Sequence, residues 1–389
     1  MTFENLNIFD TEEGVYKKGS LSVCDKVFSK NSSECNNEFA GMYAHGGYAD
    51  IHTHGVLGYF FERASVDELI TMLKFYASAG TLYVMPAIAT ISFEDICGAT
   101  DRIFAAAEKI KSENIPAATV IGIHYECRYL NPVKAGAHRR EWFANPDIKE
   151  ADILLGKIRE AEKKLGRKLT AHFTLAPEMD GAMEFIKHLA NNGATAGIGH
   201  SDADYDISMQ ALNAGAVSFT HTFNQLRPIH HRTSTSLTCA LTSDAYTEYI
   251  CDGFHSLPEI AKLMRRAKDP SKMVLITDST AAGIAEGTVF TSFDGNPVKI
   301  DGGVGRLMNG TINGSIITMH KGFVNYMNFT GASIEDASRA AVANPLNMLK
   351  NPGYTSIDEG KPANFVVFDS EYNLKAVFVN GERIDVATV

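Results

Sequence analysis

Two histidines stand two residues apart in the stretch GGYADIHTHG, at His52 and His54, directly after an apolar run. Because side chains alternate between the two faces of a strand, both imidazoles of an extended HTH segment point to the same side. Such a pair can bind a transition metal, but an isolated HxH pattern is a weak signal that also arises by chance. The other candidate ligands must decide whether a metal is bound here.

Further side chains of metal-binding type stand at or just after the ends of other short apolar runs. They are Glu126 in GIHYE, His200 in GIGHS, His221 in FTHTF, His255 after CDGF, and Asp278 in LITDS. Taken singly, each has a structural explanation, such as a buried histidine that satisfies a carbonyl or an aspartate that forms a turn. Taken together, those separate explanations would require that chance placed all of these residues at or just after the end of a strand. Five other histidines lie outside the pattern or one step from it, and we interpret them as structural or solvent-facing: His45, His124, His172, His188 and His320. His124 is the strongest candidate for an exception, because it lies two residues before Glu126.

Neutral imidazoles and carboxylates suit zinc or iron, and also cobalt or manganese, because no soft ligand selects against these metals. Glu126, His200 and His221 make a three-ligand set that leaves a position open for water, as in catalytic sites. His52 and His54 could hold a second ion, with Glu126 as a bridge. Water on such an ion becomes a hydroxide nucleophile near neutral pH, and Asp278 would serve as base for the water and acid for the leaving group. The sequence therefore predicts one or two divalent ions per subunit.

The candidate ligands follow eight apolar runs typical of strands: YADIHTH, LYVMPA, ATVIGIHYE, LTAHFTL, ATAGIGHS, AVSFTHTF, TEYICDG and MVLITDS. Amphipathic helical patterns lie between most of them. The clearest, SVDELITMLKFYASAG, opens with Ser65 and Glu68 at capping-box spacing and ends near Gly80. This alternation predicts a parallel sheet, and eight strands suggest a distorted, TIM-like (β/α)8 barrel of the α/β class. All carboxyl ends of such strands lie on one face, where the candidate ligands would meet.

The two ends of the chain and one internal segment differ from the barrel pattern. Residues 1–47 contain no strong helical pattern, and residues 355–389 read as hairpins with VNGE as a turn. We expect these ends to form one small β-sandwich domain beside a barrel that covers residues 48–354. A glycine-rich stretch near 283–310 is expected to be a β insertion after the last barrel strand. The segment from Ser234 to Ala245 is too weak in pattern to assign.

The composition excludes several classes of protein. The chain has 389 residues, 45% of them hydrophobic and 21% charged, which is typical of a globular protein with a substantial core. Its net charge of −10 argues against a nucleic-acid binder, and no apolar run approaches the ~18 residues of a membrane span. The start, MTFENLNIFDTEEG, lacks the features of a secretory signal. Six scattered cysteines without a CxxC pair favour the cytoplasm over an oxidising compartment.

Several segments together resemble the amidohydrolase superfamily, and more narrowly the N-acetylglucosamine-6-phosphate deacetylase family. The similarity spans nearly the whole chain and rests on these segments: YADIHTHG, IHYECRYLNPVKAGAH, FTLAPE, GIGHSDADYD, FTHTFNQL, CDGFH, ITDSTAAG, NGSIITM and GKPANFVVFD. The order and spacing of TLAPE, GHSDA and THTFN make the match specific. The resemblance implies a distorted (β/α)8 barrel with a small β domain from both termini, which agrees with the pattern of strands and helices.

The resemblance also implies a reaction, the removal of acetyl from the 2-amino group of a 6-phosphorylated aminosugar. By motif, Glu126, His200 and His221 would bind metal, and Asp278 would be the acid and base. The motifs imply contact with substrate for a further set of residues: His138, Asn224, Gln225, His255, Asn313 and Gly314.

Family resemblance further implies a homodimer in which each subunit lends a phosphate-binding arginine to its neighbour. The corresponding residue is Arg232 in NQLRPIHHR. This segment, with Arg227, His230 and His231, is a local basic patch on an acidic chain, and an arginine fork fits phosphate well. A solvated loop is the alternative interpretation of the patch.

The sequence departs from the family pattern on the substrate side of the site. Cys127 and Arg128 stand where the family usually has Gly-Pro, and Gln225 and Leu226 stand where it usually has Ala-Met. N-acetylgalactosamine 6-phosphate, or another N-acyl or cyclic amide, therefore remains open as substrate. Against a cyclic amide, the fourth strand offers His172 in place of the lysine that such hydrolases carboxylate. A non-catalytic sugar-phosphate binder is a third possibility, disfavoured by the intact ligand set.

Overall fold

The computed structural model describes residues 1–30, 34–126 and 128–387. The chain starts with five strands: β1 (Thr2–Asp10), β2 (Val15–Cys24), β3 (Val27–Ser29), β4 (Cys35–Asn36) and β5 (Tyr43–His45). In β1, Phe3 and Leu6 are both buried although they are three residues apart, an odd spacing that would place them on opposite faces of a regular strand. A bulge between them, with Asn5 at φ +58°, restores both side chains to the same face.

The next strands comprise the barrel sheet and one short hairpin, β7 with β8: β6 (Tyr48–Thr53), β7 (Gly55–Val56), β8 (Tyr59–Phe60), β9 (Thr81–Ile88), β10 (Thr119–Val120), β11 (Gly122–Tyr125), β12 (Thr170–Leu175), β13 (Thr195–Ile198), β14 (Ser218–Phe219), β15 (Tyr246–Ile250) and β16 (Met273–Ile276). Apart from the β7–β8 hairpin, these strands pair in parallel in chain order, with β10 and β11 as one interrupted position beside β9. Just past β16, the backbone N–H of Asp278 donates to the carbonyl of His52 (2.8 Å) and brings the last strand back to the first. The predicted eight-stranded α/β barrel is confirmed.

Helices cover the barrel: α1 (Val66–Ser78), α2 (Phe93–Ser112), α3 (Ile148–Leu165), α4 (Ala182–Asn191), α5 (Tyr205–Ala214), α6 (Ser236–Thr242), α7 (Pro258–Ala267), α8 (Met319–Thr330), α9 (Ile334–Ser338) and α10 (Asn344–Met348). A π-helical turn, Arg339–Ala343, joins α9 to α10, and short 3-10 turns lie at Pro132–Lys134, Arg140–Trp142, Pro270–Lys272 and Pro352–Tyr354. The capping box of α1 is present, since the N–H of Ser65 donates to Glu68 Oε2 (2.7 Å) and Ser65 Oγ accepts from the N–H of Glu68. Helix α6 occupies the segment that the sequence left unassigned; at seven residues it is too short to show a helical period.

Two groups of antiparallel strands complete the fold. Strands β17 (Val289–Thr291), β18 (Pro297–Asp301) and β19 (Val304–Leu307) form a small sheet after β16, and β20 (Phe365–Phe368), β21 (Leu374–Val379) and β22 (Glu382–Ile384) join β5 in the sheet of the termini. Asn380 and Gly381, between β21 and β22, have φ of +50° and +75°, as the predicted tight hairpin turn requires. A sheet built from both ends of the chain is thus confirmed, while the domain limits at 47, 355 and 283–310 stay predictions. No helix among the described residues combines the length and apolarity needed to cross a membrane.

Candidate active site

Six titratable side chains meet at the carboxyl ends of the barrel strands. His52 lies on β6 and His54 just beyond it, and the others follow the ends of β11, β13, β14 and β16: Glu126, His200, His221 and Asp278. Three of the six adopt positive φ without being glycine, at +46° for His200, +28° for His221 and +47° for Asp278. Such backbone is strained and is found where the surrounding structure holds a side chain in a required direction. The sharp turn at each strand end directs these side chains into the mouth of the barrel.

Glu126 is the centre of the cluster, because each of its oxygens faces a different pair of histidines. Its Oε1 lies 2.8 Å from His221 Nε2 and 3.2 Å from His200 Nε2. Its Oε2 lies 3.1 Å from His54 Nε2 and 3.4 Å from His52 Nε2. The carboxylate is only 2% exposed. Two groups of ligand atoms therefore share one buried carboxylate.

The first group, His200, His221 and Glu126, has the donor chemistry of a metal site. The Nε2 atoms of the two histidines are 3.0 Å apart. His200 Nδ1 lies 2.7 Å from the carbonyl of Lys134, which can only accept, so the ring proton is on Nδ1 and Nε2 presents a lone pair. Burial lowers the pKa of His200 to about 4, which keeps this imidazole neutral. Converging, buried lone pairs beside a carboxylate fit a divalent cation well.

The second group consists of His52, His54 and Asp278. The Nε2 atoms of His52 and His54 are 3.3 Å apart, and Asp278 Oδ1 lies 3.3 Å from the latter and 3.7 Å from the former. Burial acts to raise the pKa of Asp278, but the adjacent imidazoles of His52 and His54 outweigh it and hold the pKa below its usual range. The aspartate is therefore ionised and can accept a hydrogen bond or bind a cation. The buried Nδ1 of His54 has no hydrogen-bond partner among the described residues.

A buried carboxylate beneath the ligands, Glu248 on β15, escaped the sequence analysis. Its Oε2 lies 3.3 Å from His52 Nδ1, and its Oε1 accepts a hydrogen bond from Ser218 Oγ (3.2 Å) and lies 3.4 Å from His172 Nε2. A carboxylate behind a metal-facing histidine fixes the orientation of its ring. The signal was the charged residue inside the strand sequence TEYI, since a fully buried glutamate needs a partner.

Two of the histidines interpreted as structural, His124 on β11 and His172 on β12, are fully buried within the barrel. His124 Nδ1 lies 3.0 Å from the carbonyl of Ile51, and its Nε2 lies 2.7 Å from Thr174 Oγ1. His172 Nδ1 lies 2.8 Å from Thr195 Oγ1, inside the barrel. These contacts occupy both nitrogens of His124 with protein groups.

A cavity of about 270 Å³ opens above the ligands. Its walls include every substrate-binding residue expected from the family motifs except the arginine: His138, Asn224, Gln225, His255, Asn313 and Gly314. Gly314 has φ +64°, and a Cβ atom there would lie 2.4 Å from Thr280 Cγ2 and 2.7 Å from the carbonyl of Asp278, so only glycine fits. The cavity suits a small polar molecule whose reacting group faces Asp278.

Two histidines of the wall are held in place by polar partners. His255 Nδ1 lies 2.6 Å from Asp252 Oδ2; burial lowers its pKa, but this carboxylate outweighs burial and raises it overall. His255 can therefore present a charged N–H to the cavity. His138 lies with Nδ1 2.8 Å from Thr90 Oγ1 and Nε2 3.4 Å from Glu126 Oε2.

The basic residues near the mouth are not part of the cavity wall. Arg232 is exposed, and Arg227 is paired with Asp202 through two hydrogen bonds of 3.1 and 2.6 Å. Arg128 is paired with Glu150 at 3.2 Å, and its neighbour Cys127 lies outside the described residues. Among the described residues that line the cavity there is no lysine or arginine. The roles expected for the site residues stay predictions; the structure brings all except Arg232 into one place.

Comparison with known proteins agrees with this geometry. No protein-family model matches the sequence. The N-acetylglucosamine-6-phosphate deacetylase of Bacillus subtilis is 34% identical over 93% of this chain and 91% of its own, and the N-acetylgalactosamine-6-phosphate deacetylase of Escherichia coli O157:H7 is 30% identical over 86% of each chain.

Solved structures of N-acetylglucosamine-6-phosphate deacetylases superimpose on nearly the whole chain. N-acetylglucosamine-6-phosphate deacetylase from Thermotoga maritima has a TM-score of 0.83 at 27% identity and covers 98% of this chain and 99% of its own. A mutant of the Mycobacterium smegmatis enzyme in complex with N-acetyl-D-glucosamine-6-phosphate has a TM-score of 0.84 at 25% identity and covers 98% of each chain. From the extent of these matches, as its motifs predicted, the chain belongs to the N-acetylglucosamine-6-phosphate deacetylase family of amidohydrolases.

Proposed function

We propose that this chain hydrolyses the acetamide of N-acetylglucosamine 6-phosphate, giving glucosamine 6-phosphate and acetate. The observation that carries the proposal is Glu126, shared by two histidine pairs directly beneath the cavity, with Asp278 beside them. The relative from Bacillus subtilis and the sugar-phosphate complex of the Mycobacterium smegmatis enzyme support the choice of substrate. The scattered cysteines favour the cytoplasm as its location.

Glu126, His200 and His221 would hold one divalent ion, with zinc or iron the best fit to the donors and cobalt or manganese also suitable. His52 and His54 would hold a second, with Glu126 as the shared ligand. A cation held here supplies Lewis acidity to the amide carbonyl and makes water more acidic.

The remaining chemistry falls to the protein side chains. The ionised Asp278 accepts a proton from the attacking water at its carboxylate and then gives it to the amine nitrogen as the C–N bond breaks. The water oxygen bonds to the acetyl carbon, so acetate and the free amine leave. His255, charged through its contact with Asp252, donates a hydrogen bond to the polar end of the substrate.

Acetate release from N-acetylglucosamine 6-phosphate by metal-loaded protein tests the proposal, with Asp278→Asn as the inactive control. The galacto epimer should be measured in parallel, because the relative from Escherichia coli O157:H7 bears the name of that activity and Gln225 lines the cavity. The ratio of the two kcat/KM values identifies the preferred sugar. Lack of acetate release from either epimer would refute the proposed substrates.

The other two possibilities find less support. A cyclic-amide hydrolase with a carboxylated lysine needs a lysine on β12, where His172 instead contacts Thr195 and Glu248 within the barrel. A non-catalytic sugar-phosphate binder does not need imidazole lone pairs that converge on a metal position. Such a binder should therefore purify with little metal. Elemental analysis of the purified chain separates such a binder from the enzyme.

We further propose that the phosphate is bound by Arg232 of a second copy in a homodimer. Arg232 is exposed, and the described part of the cavity wall contains no lysine or arginine of its own. Mixing Asp278→Asn with Arg232→Ala subunits tests this directly. If Arg232 serves the neighbouring site, half of the sites in each mixed dimer carry neither defect, so random mixing restores about a quarter of wild-type activity. If Arg232 serves its own site, mixing restores none.

A further inference from the structure

A second cavity, of about 450 Å³, lies near the amino-terminal ends of the barrel strands, at the end of the barrel opposite the mouth. One side is formed by barrel residues that include Tyr83 on β9 and Arg167, three residues before β12. The other side is formed by the terminal sheet and its approach, including Lys361, Asn364 and Asn380. We call it the rear cavity; it shares no lining residue with the cavity above the ligands.

The rear cavity is basic, although the chain carries a net charge of −10. Four cationic side chains line it, and no aspartate or glutamate is among its described lining residues: Lys111, Arg167, Lys168 and Lys361. Three of the four have hydrogen bonds to carbonyls alone within the described part of the chain, with Lys111 Nζ 2.7 Å from the carbonyl of Leu165 and Lys168 Nζ 2.9 Å from that of Lys350. Carbonyl contacts orient these groups without neutralising them. Clustered positive charge in a concave, partly desolvated place attracts an anion.

Arg167 has unused hydrogen-bonding capacity. One of its Nη atoms donates to the carbonyl of Val120 (3.2 Å), while its buried Nε has no partner among the described residues. A buried donor that is left unpaired destabilises the fold, and an acceptor bound there would remove that cost. The guanidinium fork matches the oxygens of a phosphate better than it matches a single carbonyl.

The rest of the wall favours an organic phosphate over a bare anion. Four asparagines line the cavity: Asn114, Asn351, Asn364 and Asn380. The Oδ1 of Asn364 accepts from the N–H of Asn380 (2.7 Å) and its Nδ2 donates to Tyr83 Oη (3.5 Å), so the donors and acceptors that can pair with hydroxyl groups come from the other three. Tyr83 and Tyr354 add aromatic surface. The volume is larger than that of the cavity above the ligands, so a sugar phosphate fits by size. Lys361 and Asn364 belong to the segment GKPANFVVFD, which has no part in the catalytic site.

We propose that the rear cavity is a second binding site, for a phosphorylated sugar, with the phosphate held by Arg167 and Lys361 and the hydroxyls by the asparagine amides. Because its walls come from both the barrel and the terminal sheet, the ligand joins these two parts of the fold. The site stands independently of the deacetylase reaction.

Titration calorimetry on the metal-loaded full chain tests the proposal, with glucose 6-phosphate as the probe because it has no acetamide to hydrolyse. Glucose and inorganic phosphate serve as comparison ligands. We expect Lys361→Glu to weaken probe binding at least about tenfold, the loss of one charge-assisted hydrogen bond. The matched control is Lys187→Glu, an exposed lysine of α4 outside the cavity, which should bind the probe as wild type does.

Three results would overturn the proposal. Probe binding that is equal in wild type and Lys361→Glu would assign the probe to the catalytic cavity. Equal weakening in both glutamate variants would reveal a general charge effect, and inorganic phosphate that binds as tightly as glucose 6-phosphate would reveal a simple anion site. Lys361 is exposed, so its variants should fold; Lys361→Gln against Lys187→Gln repeats the comparison with a smaller change of charge.

Discussion

Replacing His52 by alanine is expected to lower the metal content of replete protein from about two ions per chain to about one. His52 Nε2 faces His54 Nε2 at 3.3 Å and Glu126 Oε2 at 3.4 Å, so its loss removes one donor from the second group. The contacts of Glu126 Oε1 with His200 and His221 do not involve it. Loss of even an indirect contact to a metal ligand typically costs 10- to 100-fold in affinity, so loss of a direct ligand should cost at least about 100-fold.

The assay is elemental analysis after loading with excess zinc and removal of free metal. The control is His188→Ala, which removes a histidine of α4 that pairs with Asp152 at 2.7 Å and does not line the cavity, and it should retain about two ions. Wild-type protein that holds only one ion under replete conditions would refute the second site. Complete loss of metal from His52→Ala would also refute it, because both histidine pairs would then serve one ion.

Three further outcomes are expected. Asp278→Asn should reduce kcat by at least about 100-fold while the protein keeps its metal, since the change removes proton transfer and leaves the first ligand group intact; loss of metal instead would make the aspartate mainly a ligand. Glu248→Gln should weaken metal binding by about 10- to 100-fold in a chelator competition, because the neutral amide makes His52 a poorer donor, and unchanged affinity would contradict the positioning role. Burial holds the pKa of His45 at about 3 and that of His320 at about 4, so both stay neutral in the folded state. The unfolded chain takes up protons below about pH 6.5, so stability is lost as the pH falls from there towards 4, by about 2–3 kcal/mol for each histidine at pH 4.5. Urea unfolding at pH 7 and 4.5 should show that His320→Gln loses about 2 kcal/mol less than wild type, and an equal loss would contradict this assignment.

The barrel and the convergence of ligands could be predicted from sequence because each followed from a local pattern and one geometric rule. Apolar runs separated by helical segments predict the strands, and the rule that carboxyl ends share a face brings Glu126, His200 and Asp278 together. The place of Glu126 in this convergence follows from the same rule, because it stands directly after its strand, while its role as a shared metal ligand stays a prediction. In each case the pattern predicted the position of a residue along a strand, and the two-residue period of the strand determines that position.

Features that depend on side-chain contacts between distant segments could not be predicted from the sequence. Glu248 contacts His52 across the barrel interior, a relation that the spacing of 196 residues does not encode. The rear cavity joins the loop before β12 to the approach to β20, and its basic character appears only when Arg167 and Lys361 are brought together in space. The sequence singled out the charges around Arg232 because they are neighbours in the chain, whereas those of the rear cavity are dispersed.

The pairing of β5 with β20 has a consequence for how the protein is made. His45 and Val366 are register partners although they are more than 300 residues apart in the chain, and β5 also pairs with β1 on its other side. During synthesis the early strands must therefore wait, with one edge of β5 unpaired, until almost the whole polypeptide has left the ribosome. Contacts of such long range form slowly, and unpaired strand edges invite aggregation in the meantime. Yield of folded protein should consequently depend more on the final thirty residues than their distance from the catalytic centre would suggest.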